Sequence, residues 1–199
     1  MKSYRERFVR NHRKEMQAAP NKKGYKNVLI YTGNFYTWEP EKGTLQSVRR
    51  QFLILEILTV IIFGVSSIPG TIVSYSNLAI SGALISFVAW AFEVFAIVSL
   101  CFRKLPLQED DFSYVNKFFR VTTMVRCVSL LFATVAGIIF MADKGFETTS
   151  ILAVIGYFLT AAIAFLLFLM YMKLSKCKVV IPGEKELAAA KERTAAKES

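Results

Sequence analysis

The sequence predicts an all-α polytopic membrane protein. It reads as a four-transmembrane-helix bundle with a short cytoplasmic β-hairpin-like segment near the N-terminus. Three observations predict this class. Of the 199 residues, 54% are hydrophobic, and the mean hydropathy is +0.39. The apolar residues gather in four long blocks rather than alternating with polar ones as an amphipathic core would require. Basic residues lie almost wholly in the segments that alternate with those blocks.

Residues 1–51 form a basic cytoplasmic tail that includes the hairpin-like segment. Residues 52–172 form the transmembrane domain, and residues 173–199 a charged cytoplasmic tail. The four blocks are residues 52–68, 78–102, about 118–142 and 151–172. About 20 apolar residues cross the hydrocarbon layer as a helix. Blocks two to four reach that length. The first is shorter unless it continues past Pro69-Gly70, which would end the helix near Ile68 or kink it. A re-entrant first block with three spans is the alternative. The first block follows a long polar stretch and has no small-residue cleavage site. It therefore reads as an uncleaved span rather than a signal peptide.

Charge sets the expected orientation. Residues 1–51 carry 12 Lys or Arg, residues 102–120 carry 4 and residues 173–199 carry 7. The turn at 69–77 has none, and 143–149 has only Lys144. Both tails and the middle loop are therefore expected in the cytoplasm, with the plasma (inner) membrane as the host. Cys101, Cys127 and Cys177 all fall toward that side, so reduced thiols are expected. With one His and no Cys-x-x-Cys pair, the sequence offers no zinc site.

The net charge of +10 would suggest nucleic acid in a soluble protein. Here no nucleic-acid module accompanies it. The first 26 residues hold nine basic and two acidic side chains, a cluster that attracts anionic headgroups of the bilayer. Tyr4, Phe8 and Val9 could add a small apolar edge.

Next come two strand-like runs, residues 28–31 and 35–38, separated by the turn formers Thr32-Gly33-Asn34. They read as a hairpin or as two extended pieces. Tyr31, Phe35, Tyr36 and Trp38 give this segment an aromatic surface. It should cover the headgroup layer, the middle loop or a partner protein, because an isolated hairpin is marginal in water. In the middle loop, Glu109-Asp110-Asp111 could suggest a metal. The acids are better placed as N-terminal charge on a helix entering the third block. The tail beyond Pro182-Gly183 reads as a solvated helix of mixed charge.

Three charged residues lie inside the apolar blocks: Glu56, Glu93 and Arg126. Counted along a helix, Glu56 is roughly 9 Å from Arg50, Arg126 roughly 9 Å from Arg120, and Glu93 roughly 15 Å from Arg103. Each costs about 2.5–3.5 kcal/mol at a helix centre, so each should face the bundle and find a partner. Helical spacing supports that. Ser86, Ala89 and Ala96 share the face of Glu93, and Thr122, Ser129, Ala133 and Gly137 share that of Arg126. Ala153, Gly156, Thr160 and Ala164 make a similar small stripe in the fourth block. Two readings follow. One is a structural Glu93–Arg126 pair, with Glu56 near Arg50 or water. The other is an ion or proton site built from all three residues.

No G-x-S-x-G, H-E-x-x-H or glycine-rich nucleotide loop is present. Neither an enzyme nor a cofactor is expected. The sequence points to a non-catalytic accessory, scaffold or regulatory membrane subunit, in a homo-oligomer or a larger complex. The alternative is a small oligomeric transporter or channel using Glu93, Arg126 and Glu56.

Overall fold

A computed structural model describes residues 11–18, 25–40, 43–67 and 71–183. The extreme basic tail, with Tyr4, Phe8 and Val9, and the C-terminal segment expected to be helical lie outside the described residues. So does Pro69-Gly70. The chain divides into two compact units.

The larger unit, Trp38–Lys104 and Ser113–Lys178, holds the helices. Helix α1 is Leu45–Ser66, α2 is Asn77–Phe102, α3 is Glu109–Lys144 with its first turn in the smaller unit, and α4 is Thr148–Lys176. Three of the four, α2, α3 and α4, are long and apolar enough to cross a bilayer. Helix α1 is apolar from Phe52 onward, but its first turns carry Arg49 and Arg50, and Glu56 follows. It begins well before the apolar block because Thr44 caps it. The Thr44 hydroxyl accepts a bond from the Ser47 amide at 3.2 Å. Ser76 caps α2 in the same way, accepting from the Ala79 amide at 3.3 Å. Glu109, Asp110 and Asp111 occupy the first turn of α3, where carboxylates meet the positive end of the helix dipole. Between α3 and α4 the chain turns at Gly145, whose φ of +107° suits a residue without Cβ.

The helices pack by small and polar residues. Helix α2 buries Ala79, Gly82, Ser86, Ala89, Glu93 and Ala96, at steps of three and four. Helix α4 buries Ser150, Ala153, Gly156, Thr160 and Ala164 in the same rhythm. Large apolar side chains such as Ile57, Phe95, Val128 and Leu152 point outward. This inverts the arrangement of a water-soluble bundle and matches helices that approach closely while turning their bulk to lipid. Buried hydroxyls bond back along their own helices: Thr122 to the Phe118 carbonyl at 2.6 Å, Thr134 to Leu130 at 2.8 Å and Thr160 to Gly156 at 2.7 Å. Phe52 meets Phe119 edge-on at 5.4 Å between centroids, Phe119 stacks on Tyr171 at 4.4 Å, and the Tyr171 hydroxyl donates to Asn116 Oδ1.

The smaller unit draws on three separate stretches, Met1–Thr37, Leu105–Phe112 and Val179–Ser199. Strands β1, His12–Ala18, and β2, Tyr25–Tyr31, pair antiparallel with His12 opposite Tyr31. Strand β3, Phe35–Trp38, lies between β4, Leu107–Gln108, and β5, Lys178–Ile181. Of the two readings, hairpin or two extended pieces, the second is the one the strands follow. The two strand-like runs are both strands, but they belong to different sheets. Residues 28–31 pair with a strand that precedes them, and Phe35 and Tyr36 pair with Gln108 and Leu107. Tyr31 explains the break in pairing. Its hydroxyl donates to the Asn34 carbonyl at 2.9 Å and accepts from the Glu109 amide at 3.0 Å. The ring therefore holds the 32–34 turn open toward the middle loop. Burial raises the Tyr31 phenol pKa against the opposing effect of that amide, and the Glu109 and Asp110 charges raise it further.

Candidate functional site

The three charged residues of the apolar blocks meet at one point. Glu56 lies on the buried stripe of α1 with Phe52 and Thr59, Glu93 on that of α2 with Ala89 and Ala96, and Arg126 on α3. The Arg126 Nη1 atom lies 3.2 Å from Glu56 Oε1 and 3.1 Å from Glu93 Oε2. It also donates to Glu56 Oε2 at 3.4 Å. Arg126 and Glu93 are 1% and 0% exposed, so the pairs are shielded from solvent and less screened than surface pairs. The Glu56 partner is Arg126, not Arg50, which is exposed.

One nitrogen thus serves two carboxylates. The geometry to Glu93 is an ion-pair contact, without the alignment of a hydrogen bond. The Thr123 hydroxyl donates to the Phe119 carbonyl at 2.6 Å, and the Trp90 indole N–H is buried without a hydrogen-bond partner. Arg126 Nε and Nη2 are buried with no partner. Such groups are uncommon in native interiors.

A cavity with an almost wholly apolar accessible lining lies between α1 and α2. A space of about 230 Å³ is lined by Thr59, Val60, Phe63 and Gly64 of α1, Phe87 and Trp90 of α2, Arg126, and nearby Ser and Thr residues. Phe87 and Trp90 stand with ring centroids 5.5 Å apart. Thr59 and Trp90 were not singled out from the sequence. The available signal was helical spacing: Thr59 is three residues after Glu56, and Trp90 three before Glu93.

The aromatic candidates are arranged differently. Tyr31 packs edge-on against Phe35 and His12, at 5.0 and 5.3 Å, and Tyr36 stacks on Phe112 at 4.9 Å. Trp38 is 2% exposed, and of the three surfaces expected to cover this segment, the middle loop is the one that Tyr31 and Tyr36 meet. Isolated strands had hidden these contacts because the rings are covered by residues distant in sequence. Among the described residues, no three of His, Cys, Asp and Glu gather as metal ligands. Cys101, Cys127 and Cys177 are free thiols.

No family model matches the chain, and neither a curated protein nor a solved structure matches it.

Proposed function

We propose that this is a small integral membrane protein with four spans and both termini in the cytoplasm, acting as a non-catalytic accessory, scaffold or regulatory subunit in the plasma (inner) membrane. The observation that carries the reading is the β4-β3-β5 sheet. Strand β3 precedes α1, β4 lies between α2 and α3, and β5 follows α4. Strands of one sheet share one side of a bilayer, so an even number of crossings must separate each from the next. If α2 crosses, α1 must cross as well. Parity therefore favours four spans over three with a re-entrant first helix. The 23 basic residues of the two tails and middle loop favour the cytoplasm for that side. Strand β5 is an edge of the sheet among the described residues, with Val180 and Ile181 exposed, which suits pairing with a partner strand. The basic tail suits anionic headgroups.

Orientation is tested by cysteine labelling with Cys101, Cys127 and Cys177 replaced by serine. Tyr75→Cys and Phe146→Cys, at exposed positions, should react with an impermeant maleimide added outside cells, whereas Val180→Cys should react only after lysis. Labelling of Val180→Cys from outside would reverse the orientation. With Tyr75→Cys and Phe146→Cys open from outside and Val180→Cys only after lysis, labelling of Glu39→Cys from outside would remove α1 as a span.

The second reading, a small transporter or channel, is favoured by the Glu56–Arg126–Glu93 cluster beside a cavity. Proteoliposomes carrying a pH gradient separate the two readings. The accessory reading expects decay no faster than in empty liposomes. Faster decay that Glu93→Gln abolishes would replace it with the transport reading.

A further inference from the structure

A cavity of about 630 Å³ opens where α1 and α4 leave the apolar blocks. Val48 and Gln51 line it from α1, and Met170, Lys173, Leu174 and Lys176 line it from α4. Small-molecule sites span roughly 300–1,000 Å³, so the space can hold a ligand. Its depth follows from the sequence. Val48 and Gln51 come just before Phe52, where the first apolar block begins, and Lys173 follows Met172, where the fourth ends. The four-span reading therefore puts the cavity at the level of the headgroups, and the inference rests on that reading.

The walls combine two chemistries. Val48, Met170 and Leu174 are apolar, and Met170 is the lining residue of α4 nearest the hydrocarbon. Lys173 and Lys176 are exposed and one turn apart, so they share a face and repel one another. Among the described residues neither lysine makes an ion pair, and no carboxylate lines the cavity. The negative end of the α4 dipole favours lysine there on its own account. The dipole does not explain why two unpaired ammonium groups border a space with an apolar wall. An anion joined to a hydrocarbon chain answers both features. A lysine ammonium binds phosphate as a point charge, and the Gln51 amide adds donors for a phosphate or ester oxygen. Anionic phospholipids of the cytoplasmic leaflet carry that combination.

We infer that this cavity seats the headgroup of one anionic phospholipid, its phosphate held by Lys173 and Lys176 and its acyl chains passing Met170 into the bilayer. This is a defined site in the fold, separate from the diffuse attraction of the basic N-terminal tail.

The test uses the full chain in neutral micelles, with bound lipid counted by native mass spectrometry. Phosphatidylglycerol and phosphatidylcholine with the same acyl chains are titrated separately. One phosphatidylglycerol should bind at least tenfold more tightly than any phosphatidylcholine. Lys173→Gln/Lys176→Gln should weaken it about 25-fold, about fivefold for each ammonium. Lys104→Gln/Lys117→Gln removes two exposed lysines outside the cavity and should change it less than twofold. Val48→Trp, which fills the cavity and keeps both lysines, should also weaken binding. Inorganic phosphate at the same concentration should not compete. Equal loss from the two lysine pairs would show a diffuse basic surface and overturn the proposal. So would unchanged binding to Val48→Trp. Displacement by inorganic phosphate would overturn the lipid in favour of a soluble anion. The four-span reading is judged separately by the cysteine labelling. Labelling as expected, with no preference for phosphatidylglycerol, would remove this inference alone.

Discussion

Arg126→Gln should destabilise the helical unit by about 3–5 kcal/mol, the usual cost of stranding a buried ionic partner. Two carboxylates depend on this one guanidinium, and Glu93 is fully buried. Removing the cation leaves them facing one another at low dielectric. The single changes Glu93→Gln and Glu56→Gln should cost far less. Each leaves one carboxylate to balance one guanidinium, so the remaining pair is closer to neutral than the native trio. The expected ranking is therefore asymmetric, with Arg126→Gln well below either carboxylate variant. In the triple variant Arg126→Gln/Glu56→Gln/Glu93→Gln, stability should recover by most of the loss, because no charge remains unpaired. Unfolding in mixed micelles measures all four, and a full cycle gives the coupling directly. Equal losses for the three single variants, adding without coupling, would show that the groups do not form one ionic unit.

The cluster also shows what a sequence discloses and what it withholds. That Glu56, Glu93 and Arg126 turn inward follows from their cost in hydrocarbon and from the small residues at steps of three and four around them. Which carboxylate meets the guanidinium does not follow. Partner choice depends on helix rotation and on the reach of a long side chain, and neither leaves a mark in the local pattern. Helix ends divide in the same way. The apolar blocks give α2 and α4 to within a few residues at most ends. The start of α1 at Leu45 is masked by Gln46, Ser47, Arg49, Arg50 and Gln51, which lower the hydropathy without breaking the helix. The strands were harder still. Residues 28–31 and 35–38 are rich in β-branched and aromatic residues as strands should be, but β3 pairs with β4 and β5, brought from beyond α2 and α4. A turn signal such as Thr32-Gly33-Asn34 speaks for local pairing. It carries no information about Leu107, which waits on the far side of two helices.

Helix α1 is the element on which the span count turns, and its contact with α4 is open to a direct test. A Cβ built on Gly156 would collide with the Ser66 hydroxyl and lie 2.8 Å from Ser66 Cβ. The Ser66 hydroxyl is itself held by the Ile62 carbonyl at 2.7 Å, so it cannot swing away without losing that bond. Nearby, Phe63 and Tyr157 pack with centroids 6.2 Å apart. Gly156→Ala should therefore force α1 and α4 apart at a cost of about 1–3 kcal/mol, the scale of overpacking, and Gly156→Leu should cost more. The exchange variant Ser66→Gly/Gly156→Ala moves the small side chain from α1 to α4 and should regain most of the loss. About 0.5–1 kcal/mol would remain, since glycine is a poorer helix former than the residue it replaces. Gly82 supplies the contrast. Its Cβ would stand 2.8 Å from the Ser129 carbonyl oxygen, a backbone atom that no side-chain change can remove. Gly82→Ala should resist rescue by any substitution at Ser129. Unfolding in mixed micelles reads every variant. If Gly156→Ala and Gly156→Leu unfold like the native chain while Gly82→Ala does not, α1 is not packed on α4 through Ser66 and Gly156.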